Sequence, residues 1–563
     1  MTRTTWLRPT APLLVVLMFF AGCTSPMDYV RNGFKVGPDP CVPQGPTASN
    51  WINDGDVRVQ QESVDLNRWW EVFQDPNLNG LIVAASKQNL SLREACFRVM
   101  EARAQLGIAH GEIFPQQQNM GGSYQRWAYS QNTGGFPVGG NDGGQFFDQR
   151  NFGFNLSWEL DLWGRLRRAV VAAERSLAAS CANYDDVLVT LLGDVASNYV
   201  QVRTLQDRIR LASENVKLQS DVVRVAERRF KVGSIRARAV DAPQARSVLA
   251  QTEAQIPQLN MELRQACDRL CVLLGVPPTD LDKQLGFAPI PTAPTTVAVG
   301  IPADLLRRRP DVRRAQNEAL AQGERIGIAV AELYPAFYIN GTLGYSAQNL
   351  PQMFDSSSLT GSVGPAFNWN ILNYGRIVNN VRVQDARFQA LIAAYQNTVL
   401  RANAEVEDGL ATFLRAQERA HSLDTSVGAT REAVEIGVKE FNAGKVDYNQ
   451  VAFIEQNKVQ QEDLQALSHG EIVQGLIRVY RALGGGWQWA PTLVAQAGEV
   501  EFVVPRGSSA TPVAPMPLTE PSKAPLPPAP RPAKEIPPAP QAPHDNAYDS
   551  REPAPLPPPP SAK

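Results

Sequence analysis

Cys23 has the most specific chemical surroundings of any nucleophile in the chain. It directly follows the small residues Ala21 and Gly22, which end an apolar run from Ala11 that Arg3 and Arg8 precede. A basic start, a short apolar stretch and small residues before the cut have the form of a secretory signal, residues 1–22. The run is too short to span a bilayer as a helix, which takes about 20 apolar residues. Other candidates for chemistry are sparse. His110, His421, His469 and His544 are scattered without ligand spacing. Cys96, Cys181, Cys267 and Cys271 fall within helical patterns, where a free thiol behaves as a small hydrophobe. The Cys267–Cys271 spacing allows a bond without implying one. No nucleophile, base or metal constellation with usable spacing is present, so no cofactor is expected and the chain is not read as an enzyme. A net charge of −2 gives no electrostatic reason to expect a nucleic-acid partner.

A cysteine placed directly after the cut resembles a lipoprotein signal, in which Cys23 would become the acylated first residue. Phe20 stands where leucine is usual, so an ordinary secreted protein with a chance cysteine is the alternative. Thr24 in place of Asp goes, by the same resemblance, with outer-membrane sorting. Beyond residue 22 no stretch of 18 apolar residues occurs. Any passage through a membrane therefore falls to strands of a closed barrel.

The elements that position these features come in pairs. Phe230-Lys231-Val232-Gly233 and Phe441-Asn442-Ala443-Gly444 lie 441 − 230 = 211 residues apart. The same step carries Trp158 to Trp369, Gly164-Arg165 to Gly375-Arg376 and Tyr184 to Tyr395. Upstream, Gly107-Ile108-Ala109 and Phe114-Pro115 match Gly327-Ile328-Ala329 and Tyr334-Pro335 at a step of 220. The sequence reads as an internal duplication. Residues 65–290 and 291–490 are its two repeats, behind an N-terminal segment at 23–64. The extra residues of the first repeat fit the Gly-rich stretch Thr133 to Gly144, a loop on composition. Residues 491–563 are a Pro-rich tail expected to be disordered.

Each repeat carries one long helical pattern. Phe388, Leu391, Tyr395, Val399, Ala402, Val406, Leu410 and Phe413 form a single stripe at helical spacing, echoed by Leu177, Ser180, Tyr184, Leu188, Leu191, Val195, Tyr199 and Val202. No proline interrupts Gly164 to Gly233 or Tyr374 to Gly444, so each run would reach roughly 100 Å. Such a helix packs alongside others, as in a coiled coil, and a spectrin-like bundle satisfies that pattern equally well. The strands argue otherwise. Phe152, Phe154, Leu156, Trp158 and Leu160 alternate with polar residues, as do Phe337, Ile339, Leu343 and Tyr345; Val363, Phe367 and Trp369 do so less cleanly around Pro365. Strands are expected at about 117–130, 150–160, 336–346 and 361–371. Polar on one face and apolar with aromatic ends on the other, they have the pattern of membrane-spanning barrel strands. Four are too few to close a barrel around a channel, so several chains must contribute.

Trp69-Trp70-Glu71-Val72-Phe73-Gln74-Asp75-Pro76-Asn77-Leu78 resembles the N-terminal signature of outer-membrane efflux lipoproteins. Ile301-Pro302-Ala303-Asp304-Leu305-Leu306-Arg307-Arg308-Arg309-Pro310-Asp311 resembles that family's most specific motif, and Tyr334-Pro335 follows it. Over roughly Asp65 to Trp489 the chain is similar to the NodT/OprM-type branch of the TolC-like family. The resemblance implies a mainly α fold with a β-barrel part: a trimeric twelve-stranded barrel continued by a long periplasmic α-helical tunnel. Helices at 164–230 and 374–441 would run the tunnel's length, with 80–114, 234–274, 302–334 and 447–483 as shorter partners. It implies a passive exit duct, working with a periplasmic adaptor and an inner-membrane pump of the resistance-nodulation-division type. A periplasmic scaffold or peptidoglycan-tethering lipoprotein is the alternative, explaining anchor and helices but not strands. The arginines of the motif read locally as a solvated face at a helix start, and Gly484 to Gly486 as a helix stop.

In the family, closure of the tunnel tips uses polar links among Tyr, Arg and Asp. The matching places here hold Phe441, Val446, Gln450 and Phe453, so those links are mostly absent. Between the tips the repeat step falls from 211 to 209, which puts extra residues, and positive charge, in Ser234 to Arg238. The expected gate comprises Arg236, Arg238, Asp241, Phe441, Lys445, Val446 and Asp447. Arg236 or Arg238 would face Asp447, with Phe441 and Val446 as an apolar constriction; charges that simply face solvent or the adaptor are the competing reading. Arg203, far up the first long helix, is expected to be a bystander. At the other end of the chain, Cys23→Ser should abolish fatty-acid labelling, and an inhibitor of lipoprotein processing should leave a longer precursor. Mature protein beginning elsewhere without a fatty-acid mass would refute the anchor.

Overall fold

The structure, a computed structural model, describes residues 26–62, 65–128, 146–232, 238–304 and 308–489. The signal and Cys23, the Gly-rich loop, Arg236 and the Pro-rich tail lie outside the described residues. A short helix α1 (Pro26–Arg31) and a two-residue strand β1 (Val59–Gln60) precede a 3₁₀ turn at Trp69–Phe73. The first half continues with α2 (Pro76–Gln88), α3 (Leu90–Gly111), β2 (Gln117–Ala128), β3 (Phe146–Leu160), α4 (Arg165–Lys231) and α5 (Asp241–Leu273). After α6 (Leu281–Leu285) and β4 (Val297–Ala298), the second half runs α7 (Pro310–Ala331), β5 (Ala336–Ala347), β6 (Leu359–Asn368), α8 (Arg376–Asn442) and α9 (Tyr448–Ala482). No helix among the described residues is long and apolar enough to cross a membrane.

Two helix boundaries differ from the sequence reading, for local reasons. The helix expected over 80–114 is two helices broken at Asn89, whose backbone is extended. Its Oδ1 caps α3 by accepting from the Leu92 amide at 2.9 Å, and its Nδ2 donates to the Leu273 carbonyl. Asn favours such capping over helix interiors because its side chain competes for backbone groups. The helix expected from 302 begins instead at Pro310, because the residue before a proline is driven out of the helical region. Arg309 is accordingly extended.

Both 67-residue helices, α4 and α8, follow a left-handed glycine, Gly164 and Gly375. Their stripes are buried from Tyr184 to Val202 and from Tyr395 to Phe413, whereas Leu177, Ser180, Phe388 and Leu391 nearer the sheet are half-buried. Against the first stripe pack Trp69, Trp70, Phe73, Leu78 and Ile82; against the second, Val473, Leu476 and Val479. The sheet is antiparallel in the order β2-β3-β5-β6, leaving β2 and β6 as edges. Pro365 lies on β6, an edge strand within this chain, where no pairing within the chain uses its outer side. Three indoles fasten the sheet to the helices: Trp158 to the Ile113 carbonyl, Trp163 to Pro335 and Trp369 to Leu333.

The N-terminal segment is a strap across both halves. The Tyr29 hydroxyl donates to the Leu162 carbonyl and the Val36 amide to Trp163, while Trp51 Nε1 reaches the Gly300 carbonyl and β1 pairs with β4 in parallel. The strap turns on Arg168, which is fully buried. Arg168 donates to the carbonyls of Val36 and Gly37, to Asp39 Oδ1 at 2.9 Å and to Glu324 Oε2 at 2.7 Å. Gly37 has φ +82°, and a Cβ there would meet Gly327 Cα at 2.9 Å, so only glycine lets the strap cross α7 here. Arg168→Met should cost about 3–5 kcal/mol by leaving the Glu324 charge buried and unpaired. Lysine should not rescue it, lacking the planar fork. A lowered melting temperature with new cleavage within residues 33–62 in limited proteolysis is the expected outcome; unchanged protection would refute the clamp.

Candidate functional site

Side chains opposite one another in the sheet share a face. One face carries Leu160, Trp158, Leu156, Phe154 and Phe152 of β3, facing Phe337, Ile339, Gly341, Leu343 and Tyr345 of β5. Phe367 and Val363 of β6 and Met120 of β2 continue it, with Val363 80% exposed. From Leu160 to Phe152 this band measures about 26 Å along the strand. Polar groups end it at the rim far from the helices, where Arg126 lies 3.6 Å from Asp148 and Arg150 stacks over Tyr124.

The other face is a neutral polar ladder. Asn119, Asn155, Thr342 and Ser362 lie side by side, as do Gln117, Ser157, Asn340 and Gly364. Ser157 donates to Asn340 at 2.8 Å, Ser346 to Asn151 at 2.8 Å, and Thr342 and Ser362 share a bond of 2.9 Å. Gly121, Gly153 and Gly344 form one row. A Cβ on Gly344 would sit 2.5 Å from the Phe152 carbonyl, crowding that fits a sheet curved toward its polar side. Among the described strand residues, the only charge on this face is Glu159, paired with Arg165 at 2.7 Å at the helix end.

At the opposite end of the long helices the two hairpins, α4–α5 and α8–α9, meet. Val222, Ala226, Ala245, Val248, Phe441, Tyr448, Val451 and Ala452 form a small core there. Phe441 is 1% exposed, edge-on to Tyr448 and beneath the Arg229 guanidinium, which donates to the Phe441 carbonyl at 2.7 Å. Burial pushes the Tyr448 hydroxyl up. Across the hairpins Arg238 and Asp447 form an ion pair at 2.6 Å, both side chains about half exposed. Buried Asp241 accepts from the Arg238 amide at 3.1 Å, which orders the start of α5. Lys445 and Val446 stand in the α8–α9 turn, which Gly444 makes at φ +74°.

Residues 81–276 and 301–485, together more than half of the chain, match the model of the outer membrane efflux protein family. The chain belongs to that family. It is similar to the pyoverdine export outer membrane protein OpmQ of Pseudomonas putida, at 30% identity over 79% of this chain and 91% of that one. Nodulation protein T of Rhizobium leguminosarum bv. viciae is 27% identical over 80% of this chain and 90% of its own. Among solved structures, the outer-membrane channel OprN superposes with a TM-score of 0.75 at 30% identity, covering 80% of this chain and 99% of that one. The Campylobacter jejuni CmeC channel shares the fold at TM-score 0.75 and 20% identity, covering 82% and 97%.

In this efflux protein the structure brings Arg238, Asp241, Phe441, Val446 and Asp447 together at one tip. Phe441, however, is packed within the chain's own tip core, so it offers no side chain to a constriction. Arg203, far from the tip, is fully buried and donates to the Tyr199 hydroxyl, Gln206 and the carbonyls of Leu285 and Gly286, so its replacement would disturb packing and a different residue serves better as a control. Arg309 is likewise buried rather than solvated. It joins Asp311 at 2.7 Å, Glu405 at 2.8 Å and the Ala482 carbonyl, tying α7 to α8 and α9. Gly484 and Gly486 have positive φ and end α9, as helix stops do. Cys41, Cys96, Cys181, Cys267 and Cys271 are all unbonded.

Proposed function

We propose that this efflux protein is one protomer of a trimeric outer-membrane exit duct, passively conducting solutes that an inner-membrane pump and a periplasmic adaptor deliver. The observation that carries this reading is the two-faced sheet with unpaired edges β2 and β6. Lipid does not tolerate open edges. Three copies of four strands would close a twelve-stranded barrel with the neutral ladder inside and the aromatic band against outer-membrane lipids. The long helices would then form the periplasmic tunnel. A duplicated architecture is supported by the step of 211, which carries Arg165–Lys231 onto Arg376–Asn442 end to end.

Within this reading residues 1–22 are the signal, Cys23 carries the lipid, 23–64 form the strap segment, and 65–290 and 291–490 are the repeats. The partner proposed is an inner-membrane efflux pump of the resistance-nodulation-division type; that relatives are named outer membrane proteins of a toluene efflux pump and a solvent efflux pump in Pseudomonas putida supports a pump partner. The tip residues form the periplasmic gate, with the Arg238–Asp447 pair as its polar fastening, Val446 and Lys445 at its turn, and Phe441 in the supporting core instead of a constriction.

Native mass spectrometry in mild detergent should give three chains, and the same preparation should conduct in planar bilayers. A stable monomer, or a trimer without conductance, would refute the duct. For the gate, an exposed ion pair contributes about 0–1 kcal/mol, so three copies together reach at most about 3 kcal/mol. Asp447→Ala should therefore raise basal conductance and vancomycin sensitivity modestly, whereas Arg98→Ala, exposed and remote, should change neither. Wild-type behaviour of Asp447→Ala would remove the ion pair from the gate.

A further inference from the structure

The seam between the two hairpins is layered, counted upward from the tip. Its first layer is the apolar core around Phe441 and Tyr448. The third is polar and paired throughout. Asn215 donates to Glu462 at 2.8 Å and accepts from Lys458 at 2.5 Å, while Glu462 also receives Arg431 at 2.7 Å. Between them lie Gln219 of α4 and Glu455 of α9, only 3% and 4% exposed. The register that sets Asn215 beside Lys458 brings Gln219 level with Glu455. Among the described residues, neither oxygen of Glu455 and neither polar atom of the Gln219 amide has a hydrogen-bond partner.

Buried polar groups are normally paired, and each exception raises the free energy of the arrangement that buries it. The layers on either side show that this fold can be apolar here or fully paired here. The two hairpins are joined by chain only at their far ends, so at the tip the seam is held by non-covalent contacts alone. We infer that Gln219 and Glu455 are the opening element of the gate: buried unpaired, they keep the closed seam metastable, and both gain water when the hairpins part. This rests on the exit-duct reading and extends it to a residue pair inside the wall.

The surroundings give the element a direction in pH. Lys458 and Tyr448 face Glu455 from its own helix, Asp241 stands at the start of α5, Arg431 of α8 is held by Glu462, and α4 contributes only the amides of Gln219 and Asn215. Burial pushes the Glu455 carboxyl up to about 7, with Lys458 opposing it. The protonated acid is easier to bury, so the closed seam is favoured most below pH 4.5 and loses that advantage as pH rises toward about 7. Open probability should rise across that window, by on the order of a hundredfold, and level off above it.

Single-channel recording of the full-length protein in planar bilayers from about pH 5 to about pH 8 tests this. Wild type should open more as pH rises, and Glu455→Gln, close in shape, should flatten the response. Gln219→Leu with Glu455→Leu should extend the apolar core and lower open probability at least about tenfold. Retention of the wild-type pH response by Glu455→Gln would overturn the proposal, as would a double-leucine channel that opens freely. Native mass spectrometry confirms assembly of each variant, and if the double variant fails to assemble the glutamine variant decides alone. Wild type that forms no pore at any pH would instead defeat the exit-duct reading.

Discussion

A backbone amide or carbonyl facing hydrocarbon without a partner costs several kcal/mol, because nothing there replaces the water it has lost. Within the sheet that constraint is met strand by strand from Gln117 to Asn368. At the free sides of β2 and β6 it is not met, and no other strand of the described chain reaches them. In the proposed duct, the stretch of sequence that forms the apolar band would thus need neighbouring chains at both edges. The half-buried upper stripe of α4 and α8, at Leu177, Ser180, Phe388 and Leu391, lies at the same end of the helices. Helix and sheet there both present surface suited to further copies.

Below the sheet a different rule applies. Long helices gain most of their stability from tertiary contact, not from propensity, and here that contact is concentrated mid-helix. Trp69 and Trp70 brace α4 beside Tyr480 and Trp489. Arg168, Arg203 and Arg309 each tie separate segments together through several hydrogen bonds. Arginine suits this work because its rigid fork holds several acceptors at once. The tip, with its small core and half-exposed ion pair, is far less braced than the middle. Such graded bracing along the helices would suit the proposed gate at the tip.

Much of this was legible in the sequence. Period-two alternation located all four strands to within a few residues, and unbroken helical periodicity found α4 and α8 almost to their ends, because both signals accumulate over many positions. Local competition was harder to see. Asn89 divides a helix through one side-chain bond, which periodicity does not register. Arg309 was misread for a related reason: charge argues for exposure, and only tertiary structure reveals the Asp311 and Glu405 carboxylates and the Ala482 carbonyl around it. At the tip, loop charge pointed to Arg236 or Arg238 against Asp447, and Arg238 stands in an ion pair with it, but the aromatic at 441 had the composition of a lining residue and the position of a core residue. Gln219 and Glu455 gave no signal, since on a mostly exposed helix a polar residue is unremarkable until its neighbours are known.

In the proposed duct, with the neutral ladder on the inside, the sheet has a consequence for whatever moves past it. Asn, Ser, Thr and Gln offer donors and acceptors of nearly equal strength on most rungs, and the one charge, Glu159, is paired with Arg165 at the helix end. A solute sliding along such a wall trades one weak bond for its equivalent, so no rung becomes a resting place. Transit is then governed by friction and by hydration of the moving molecule, not by affinity. Discrimination between cargoes must be completed upstream, before the sheet is reached.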